Sequence, residues 1–243
     1  LLSLLVSVLL ASFAMRPILR SNKAQKAFVE NASHELRTPL AVIQSKLELL
    51  FQKPDASILE SSDEIGESLA EIRRLRNLAT DLLRLTREEQ TLEVVRAPFK
   101  IYPLFQTLSE DFQMVAVTER KHFAFQFEGD VEADYIGDKE KIQQITVILL
   151  ENAMKYTSET ESIGLKVSLG KELEITVTDT GIGIPKEMRE VIFQRFIRLD
   201  DSRNLTQGFG LGLSILSQLL EAMGGKVEVR ENAPKGSQFV VRI

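Results

Sequence analysis

A histidine that could act as a nucleophile lies in the segment FVENASHELRTPL at residues 28–40. Glu35 follows His34, and a carboxylate beside an imidazole can hold one ring nitrogen as a donor while the other attacks. Thr38 lies one helical turn later. Pro39 then removes the hydrogen bond to the Glu35 carbonyl, so the predicted helix is expected to bend. Taken alone, such a histidine is more often a neutral surface residue or a buried, hydrogen-bonded one.

The segment ILLENAMKYT at residues 148–157 reads as an amphipathic helix whose apolar side is interrupted by Asn152. An asparagine at such a position is either a satisfied core amide or a ligand, because its carboxamide oxygen suits Mg²⁺. Lys155, about one turn later, could meet a phosphate group. The segment therefore indicates a candidate metal and phosphate site.

Two glycine-containing segments could border a ligand. DTGIGIP at residues 179–185 follows a predicted strand, so Asp179 is expected to point into an adjacent cavity; a turn leaving an edge strand is the alternative. GFGLGLS at residues 208–214 opens a helix, where unpaired N–H groups and the helix dipole favour anions. It is not a Walker loop, because no Gly-Lys-Ser/Thr follows, and an ordinary helix-entry turn is the alternative.

Two helices with apolar stripes precede these segments. A loop, QKPDAS at residues 52–57, separates them, and Asp55 or Ser57 could cap the second helix. A lone hairpin cannot bury both stripes, so we expect two copies to form a four-helix bundle. The stripes are Val29, Ala32, Leu36, Leu40, Ile43, Leu47 and Leu50, and then Ile65, Leu69, Ile72, Leu75, Leu78, Leu82 and Leu85.

After a predicted boundary near Gln90, strands and helices are interspersed. We expect a short strand before Pro98 and helices over residues 102–117, 138–156 and 211–223. Further strands are predicted at HFAFQF, near DYIGD, and at SIGLKVSL, LEITVTD, KVEVRE and SQFVVRI. This order indicates a sheet with helices on one face, so the fold class is α+β.

The first 15 residues contain no charged side chain, and Arg16 and Arg20 follow. The run is shorter than a bilayer requires, but the chain does not begin with methionine, so we interpret residues 1–15 as a clipped transmembrane helix. Residues 16–26 then form a membrane-proximal linker helix on the cytoplasmic side. This interpretation places the protein at the cell membrane with its body in the cytoplasm. A signal-peptide core or a buried helix fits the flanking residues less well.

Composition excludes several classes of site and partner. The 243 residues include no cysteine, so disulfides and thiolate metal sites are excluded, and with two histidines we expect no histidine-rich metal site. The net charge of -5 argues against a nucleic-acid partner. An anionic ligand must therefore be held by local positive charge.

Five segments together resemble the H, N, G1, F and G2 boxes of sensor histidine kinases: SHELRTP, ENAMKYT, DTGIGIP, FQRFIRLD and GFGLGLS, in this order. The resemblance runs from about Ser21 to the end of the chain. It implies a HisKA dimerisation and phosphoacceptor domain at residues 27–90, followed by a HATPase_c domain at residues 91–243. The latter would be the Bergerat α/β sandwich shared with Hsp90, gyrase and MutL.

The resemblance implies that this homodimeric kinase phosphorylates itself and a partner. His34 would attack the γ-phosphate of ATP, with Glu35 as acid-base partner that orients the imidazole. The phosphoryl group would then pass to an aspartate of a response regulator. The Glu-x-x-Thr pattern also implies phosphatase activity toward that regulator, with Thr38 positioning the attacking water.

The resemblance also implies a nucleotide site for ATP and Mg²⁺. Asn152 would hold the metal, Asp179 would accept from the adenine amino group, and the glycines would allow a close approach and flank a mobile lid. The remaining residues assigned to the site are Lys155, Tyr156, Gly181, Gly183, Arg198, Gly208, Gly210, Gly212 and Leu213.

Two positions depart from the family pattern, and three other classes of protein remain. Ile148 stands where a second asparagine is common, and Gln207 where a lid glycine is common; both are expected to tune turnover. TDTG also resembles the loop of aspartic proteases, but that fold is all-β. A plain ATPase would give the segment SHELRTP no function. A non-enzymatic scaffold or a phosphatase-only sensor is the last alternative, and neither would be labelled by ATP.

Overall fold

The computed structural model describes residues 29–30, 32–55, 57–90, 93–199 and 209–243. The membrane helix predicted at residues 1–15 and the linker helix predicted at residues 16–26 lie outside these ranges. Within them, no helix is both long and apolar enough to cross a bilayer. The chain divides into two compact units between Leu78 and Ala79. The predicted domain boundary near Gln90 stays a prediction.

The first unit is an antiparallel helical hairpin, and its second helix continues beyond Leu78. Helix α1 covers residues 32–51 and helix α2 covers Ser62–Gln90. Ion pairs cross between the helices, and their residue numbers rise along α1 as they fall along α2, as antiparallel packing requires. These pairs are Glu35 with Arg74 at 3.9 Å, Lys46 with Glu67 at 2.5 Å and Lys53 with Glu64 at 3.4 Å.

The loop of the hairpin is closed by a reciprocal pair of hydrogen bonds. The Ser57 N–H donates to the Glu60 carboxylate at 2.8 Å, and the Glu60 N–H donates to the Ser57 hydroxyl at 3.3 Å. This is the capping-box arrangement, which satisfies backbone donors that have no helical partner. Asp63 and Glu64 then place negative charge in the first turn of α2, where the helix dipole favours it.

The second unit is built on a five-stranded sheet in the order β2-β4-β5-β7-β6. The pair β2-β4 is parallel, and the other neighbours are antiparallel. The strands are β2 (His122–Glu128), β4 (Ser162–Leu169), β5 (Leu173–Asp179), β6 (Lys226–Glu231) and β7 (Ser237–Arg242). The helices are α3 (Ile101–Thr118), α4 (Lys139–Tyr156) and α5 (Gly212–Met223).

A separate two-stranded ribbon pairs β1 (Ala97–Lys100) with β3 (Asp134–Gly137) in antiparallel register. The prediction of a strand that ends before Pro98 is wrong, because β1 includes this proline opposite Ile136. A proline fits here because each strand of a two-stranded ribbon has a free edge, where a missing N–H costs no ladder hydrogen bond.

The core lies between one face of the sheet and the helices. Alternate residues of β5 and β7, such as Ile175, Val177 and Phe239, are buried together with Leu149 of α4 and Leu216 of α5. The opposite face carries ion pairs between neighbouring strands, including Lys166 with Glu128 and Arg242 with Glu174. The predicted α+β class, a helical hairpin followed by an α/β sandwich, is confirmed.

Candidate functional site

His34 lies on the exposed side of α1. Thr38 is also exposed, and its hydroxyl donates to the His34 carbonyl at 3.4 Å. Pro39 is buried, and α1 continues through it. The imidazole is therefore open to a reacting group, and the threonine hydroxyl stands one turn from it on the same helix.

Glu35, the acid next to His34, is partly exposed and faces the second helix. Its carboxylate lies 3.9 Å from the Arg74 guanidinium, which also lies 3.9 Å from the Glu71 carboxylate of its own helix. Such a pair is screened by solvent and contributes at most about 1 kcal/mol to stability. The pair matters more for orientation than for stability, because the Arg74 guanidinium on α2 can orient the carboxylate of Glu35, the candidate acid-base group.

A pocket of about 240 Å³ opens in the second unit. Nine of the eleven residues predicted for nucleotide binding line it: Asn152, Lys155, Tyr156, Asp179, Gly183, Arg198, Gly210, Gly212 and Leu213. Gly208 lies outside the described residues, and Gly181 packs behind the lining. Apolar side chains complete the wall, among them Ile182, Ile184, Ile192 and Phe209. A mostly apolar wall with a few converging polar groups is typical of a small-molecule site.

Asp179 is the buried carboxylate of this pocket among the residues that the structure describes. It ends β5 and is only 5% exposed, and burial raises its pKa to about 6, although N–H donors oppose the shift. The Gly181 N–H donates to Oδ1 at 2.9 Å and the Ser237 N–H donates to the same atom at 3.2 Å. Among the described residues, both hydrogen bonds to the carboxylate reach Oδ1. Oδ2 is thus the atom left to accept from a ligand.

Gly181 acts through close packing. A Cβ at this position would lie 2.0 Å from the Tyr156 carbonyl oxygen, which is far inside contact distance. The next residue, Ile182, donates its N–H to the same oxygen at 3.3 Å. The loop after β5 is therefore docked on the end of α4, which brings Asp179 close to the polar residues of that helix.

Helix α4 presents polar side chains to the pocket, including Glu151, Asn152 and Lys155. The Asp138 side chain caps the amino end of α4, where it accepts a hydrogen bond from the Lys141 N–H at 3.0 Å. The Lys155 Nζ lies 4.7 Å from the centre of the Tyr156 ring, a cation–π distance.

The polar residues of the pocket suit a Mg²⁺ ion that is coordinated jointly by the protein and by the phosphates of a bound ligand. Among the described residues, no cluster of three His, Asp or Glu side chains could form an all-protein cage. Asn152, whose carboxamide oxygen is a hard ligand, lines the pocket together with Lys155. Mg²⁺ commonly takes one or two side-chain oxygens together with waters and substrate phosphates. The donor set therefore suits a nucleotide-bound cation.

The amino end of α5 opens onto the same pocket through Leu211, Gly212 and Leu213. The N-cap residue, Leu211, makes no side-chain hydrogen bond to this end. The first N–H groups of a helix have no partner within it, so they and the helix dipole favour an anion here. This arrangement suits the phosphate end of a nucleotide.

Sequence reasoning missed the turn between β6 and β7. Asn232 donates its side-chain N–H to the Asp179 carbonyl at 2.8 Å, and Gly236 packs against the same peptide. The only local signal is the glycine of NAPKGS directly before the last strand. Glu151 and Gln144 also line the pocket, but nothing in their types distinguishes them from surface residues.

Two family models match the chain. Residues 24–91 match the "His Kinase A (phospho-acceptor) domain". Residues 137–243 match the "Histidine kinase-, DNA gyrase B-, and HSP90-like ATPase". Together they cover both the exposed histidine and all the residues named as lining the pocket.

Curated relatives extend this similarity over the chain. Sensor protein CiaH of Streptococcus pneumoniae is 42% identical over 246 residues, which is 100% of this chain and 54% of the relative. Signal transduction histidine-protein kinase ArlS of Staphylococcus aureus is 36% identical over 245 residues, covering 93% of this chain and 50% of the relative. The chain thus spans about half the length of the curated relatives it matches.

Solved structures share the fold. Histidine kinase ThkA in complex with response regulator protein TrrA matches with a TM-score of 0.76 and 21% identity, over 92% of this chain and 63% of that chain. Acinetobacter baumannii histidine kinase AdeS matches with a TM-score of 0.66 and 20% identity, over 86% of this chain and 96% of that chain. At 20% and 21% identity, these matches show that the fold is shared.

Proposed function

Because the chain belongs to the sensor histidine kinases of two-component systems, we propose that it transfers the γ-phosphoryl group of ATP to His34. The observation that carries the proposal is the pocket, which gathers nine residues predicted to bind a nucleotide, while an exposed imidazole is presented on the hairpin. A plain ATPase would have no use for the second feature.

In the proposed reaction, one ring nitrogen of His34 attacks the γ-phosphorus and the bond to the β-phosphate oxygen breaks, so that ADP leaves. Glu35 holds the proton of the other ring nitrogen and keeps the attacking nitrogen deprotonated. Phosphoryl transfer depends mainly on positioning and charge neutralisation, and these residues supply the positioning.

The pocket residues bind and orient the nucleotide. Oδ2 of Asp179 accepts from the adenine amino group, and Lys155 and the amino end of α5 face the phosphates. Mg²⁺, when bound through Asn152, supplies further neutralisation of the phosphate charge. Arg198 lines the pocket and is assigned to the same anionic ligand.

The proposed partner is a response regulator that takes the phosphoryl group onto an aspartate. The solved complex of ThkA with TrrA supports this choice of partner class. Thr38 is exposed one turn after His34. We assign it to the phosphatase activity, in which it positions the water that hydrolyses the regulator's acyl phosphate. Both roles use the exposed side of α1.

We also propose that the protein acts as a homodimer. The predicted apolar stripe is only partly covered within one hairpin: Leu40 is 54% exposed, Leu69 is 47% exposed and Ile72 is 50% exposed. A second copy that covers these side chains completes a four-helix bundle. We further propose that residues 1–15 anchor the chain in the cell membrane, with the two units in the cytoplasm.

The deciding experiment incubates the protein with γ-labelled ATP and Mg²⁺ and tests the label for acid lability and base stability, as expected of phosphohistidine. His34→Gln and Asn152→Ala should both abolish labelling. His122→Gln is the matched control, because His122 is the chain's other histidine and is also exposed. If the wild type binds ATP but stays unlabelled, the kinase proposal fails, and Ile148 is the first residue to replace with asparagine.

A further inference from the structure

The turn between β6 and β7 contacts the peptide group that joins Asp179 to Thr180. The Asn232 Nδ2 donates to the Asp179 carbonyl at 2.8 Å, and the Asn232 backbone N–H closes the turn on the Gly236 carbonyl at 3.1 Å. The next residue, Ser237, donates its N–H to the Asp179 carboxylate at 3.2 Å. One turn therefore binds both the main chain and the side chain of the aspartate.

Gly236 allows this contact. Its φ is +112°, and a Cβ there would lie 1.9 Å from the Asp179 carbonyl oxygen. Any side chain would push the turn away from β5, and this backbone conformation is also strained for other residues. The turn is thus built to touch the Asp179–Thr180 peptide directly.

The Asp179 carbonyl needs a donor from outside the sheet. The ladder between β5 and β7 ends at the pair Thr178 and Gln238, so Asp179 lies one residue beyond it. Asn232 supplies that donor, although it does not line the pocket itself. Along its other edge, Asp179 pairs with Ile163 of β4, so the end of β5 stays in the sheet without Asn232. Asn232 fixes the tilt of the Asp179–Thr180 peptide from the β7 side, and the direction of the carboxylate depends on that tilt.

We propose that Asn232 is a positioning residue for adenine recognition: its hydrogen bond to the Asp179 carbonyl fixes the direction in which the Asp179 carboxylate meets the base. The inference rests on the proposed function, because it needs a nucleotide in the pocket. The competing interpretation is that Asn232 only stabilises its own turn, as asparagine side chains often do.

The two interpretations differ in ligand selectivity. ATP and purine riboside 5′-triphosphate differ by the 6-amino group, which is the group assigned to Asp179. Misaligning a hydrogen bond to the ionised carboxylate, without abolishing it, corresponds to about a fivefold weaker interaction. Asn232→Ala should therefore weaken ATP binding by about fivefold or more and leave binding of the analogue within about twofold. A residue that stabilises only the turn would change both affinities by the same factor.

Calorimetric titrations at pH 8, above the Asp179 pKa of about 6, measure both affinities. Lys235→Ala is the matched control, because Lys235 belongs to the same turn but pairs with Glu161 at 2.7 Å and has no hydrogen bond to Asp179 among the described residues. Its charge lowers the pKa of Asp179, so the titrations are made at pH 8, where the carboxylate is ionised. We expect this control to keep the ATP-to-analogue ratio. If Asn232→Ala does not fold, Asn232→Ser keeps a turn-forming residue whose hydroxyl is one bond too short to reach.

In an Asp179→Asn background, Asn232→Ala should have no further effect on selectivity, because the two residues act through one contact. An unchanged ratio in the single Asn232 variants overturns the positioning role while ATP binding by the wild type stands. If the wild type itself shows no ATP binding, the proposed function fails and the inference fails with it.

Discussion

The Arg74 guanidinium on α2 lies 3.9 Å from the carboxylate of Glu35, the residue that follows the exposed His34 on α1. Both side chains are partly exposed, so their attraction is weakened by solvent. The relationship nevertheless has a chemical consequence. A carboxylate that pairs with an arginine is less available to hold the proton of the neighbouring imidazole.

Arg74→Ala should raise the initial rate of His34 phosphorylation, because Glu35 is then free to orient the imidazole. The gain is limited by the strength of an exposed pair, at most about 1 kcal/mol, which corresponds to about fivefold. The measurement is the initial rate of labelling at saturating ATP. A rate that stays equal or falls would contradict a competing role for Arg74.

Lys46→Ala serves as the control for this prediction. Lys46 forms a comparable ion pair with Glu67 across the same hairpin, farther from His34. Its removal changes the electrostatics of the hairpin by a similar amount but leaves Glu35 untouched. We expect the labelling rate of this variant to match that of the wild type.

Asp179 should make the second unit less stable at neutral pH than at acidic pH. Burial raises the pKa of Asp179 from 3.8 to about 6, so the folded state binds the proton more tightly than the unfolded chain. Stability from this residue is therefore present below about pH 4, is lost as pH rises through 6, and the loss reaches about 3 kcal/mol.

Asp179→Asn removes the buried charge and keeps an oxygen for the Gly181 and Ser237 N–H donors. The variant should be more resistant to denaturant than the wild type at pH 7.5 and should lose this advantage at pH 4. Urea titrations at the two pH values measure the difference. An equal difference at both values would show that the carboxylate is ionised without cost.

Asp138→Asn is a control with the opposite sign. Burial raises the pKa of Asp138, but hydrogen bonds from Lys141 and Val95 outweigh it and lower the pKa overall. The ionised form is thus favoured in the folded state, and its contribution is present at neutral pH and lost on acidification. Asp138→Asn should destabilise the protein more at pH 7.5 than at pH 4.

ATP recognition should also depend on the ionisation of Asp179. The ionised carboxylate accepts from the adenine amino group, whereas the protonated acid presents a donor to it. The ratio of the affinities for ATP and purine riboside 5′-triphosphate should fall as pH drops from 7 to 5, since the phosphates of the two ligands titrate alike. The ratio should be independent of pH in Asp179→Asn, and a wild-type ratio that does not change would rule out this contact.

Local patterns suffice to predict most elements of the fold. Alternating apolar residues predict β4 and β5, and the stripe that includes Leu69 and Ile72 predicts α2. Residue types with special chemistry also stand out locally, as Asp179 does after its strand. These features depend on neighbours within one or two turns, and such short-range information is present in any single sequence.

Contacts between distant segments are not readable in the same way. Asn232 reaches Asp179 across 53 positions, and Arg74 reaches Glu35 across 39, so neither pair has a local signal. The parallel pairing of β2 with β4 likewise depends on how the chain crosses the sheet. The strand was predicted to end before Pro98, but β1 includes this proline. A strand accepts a proline at a free edge, and the sequence alone does not show that β1 has one.

Gly181→Ala should weaken ATP binding strongly. The added methyl group would lie 2.0 Å from the Tyr156 carbonyl oxygen, so the loop that directly follows Asp179 must shift away from α4. Overpacking of this kind costs about 1–3 kcal/mol, and we expect at least a tenfold loss of ATP affinity. Gly170→Ala is the control, because a Cβ there meets nothing within 4 Å. An unchanged affinity in Gly181→Ala would show that the loop does not position the ligand.

Leu69→Arg should convert the proposed dimer into a monomer. Leu69 lies in the α2 stripe, and its exposed fraction of 47% within one hairpin marks it for burial against a second copy. A charge placed in that contact is desolvated without a partner, which costs several kcal/mol across two symmetric copies. Met114→Arg is the control, since Met114 is 64% exposed on α3 of the second unit, outside the stripe. Sedimentation velocity should give a dimer for the wild type and the control and a monomer for Leu69→Arg; a dimer in all three would place the contact elsewhere.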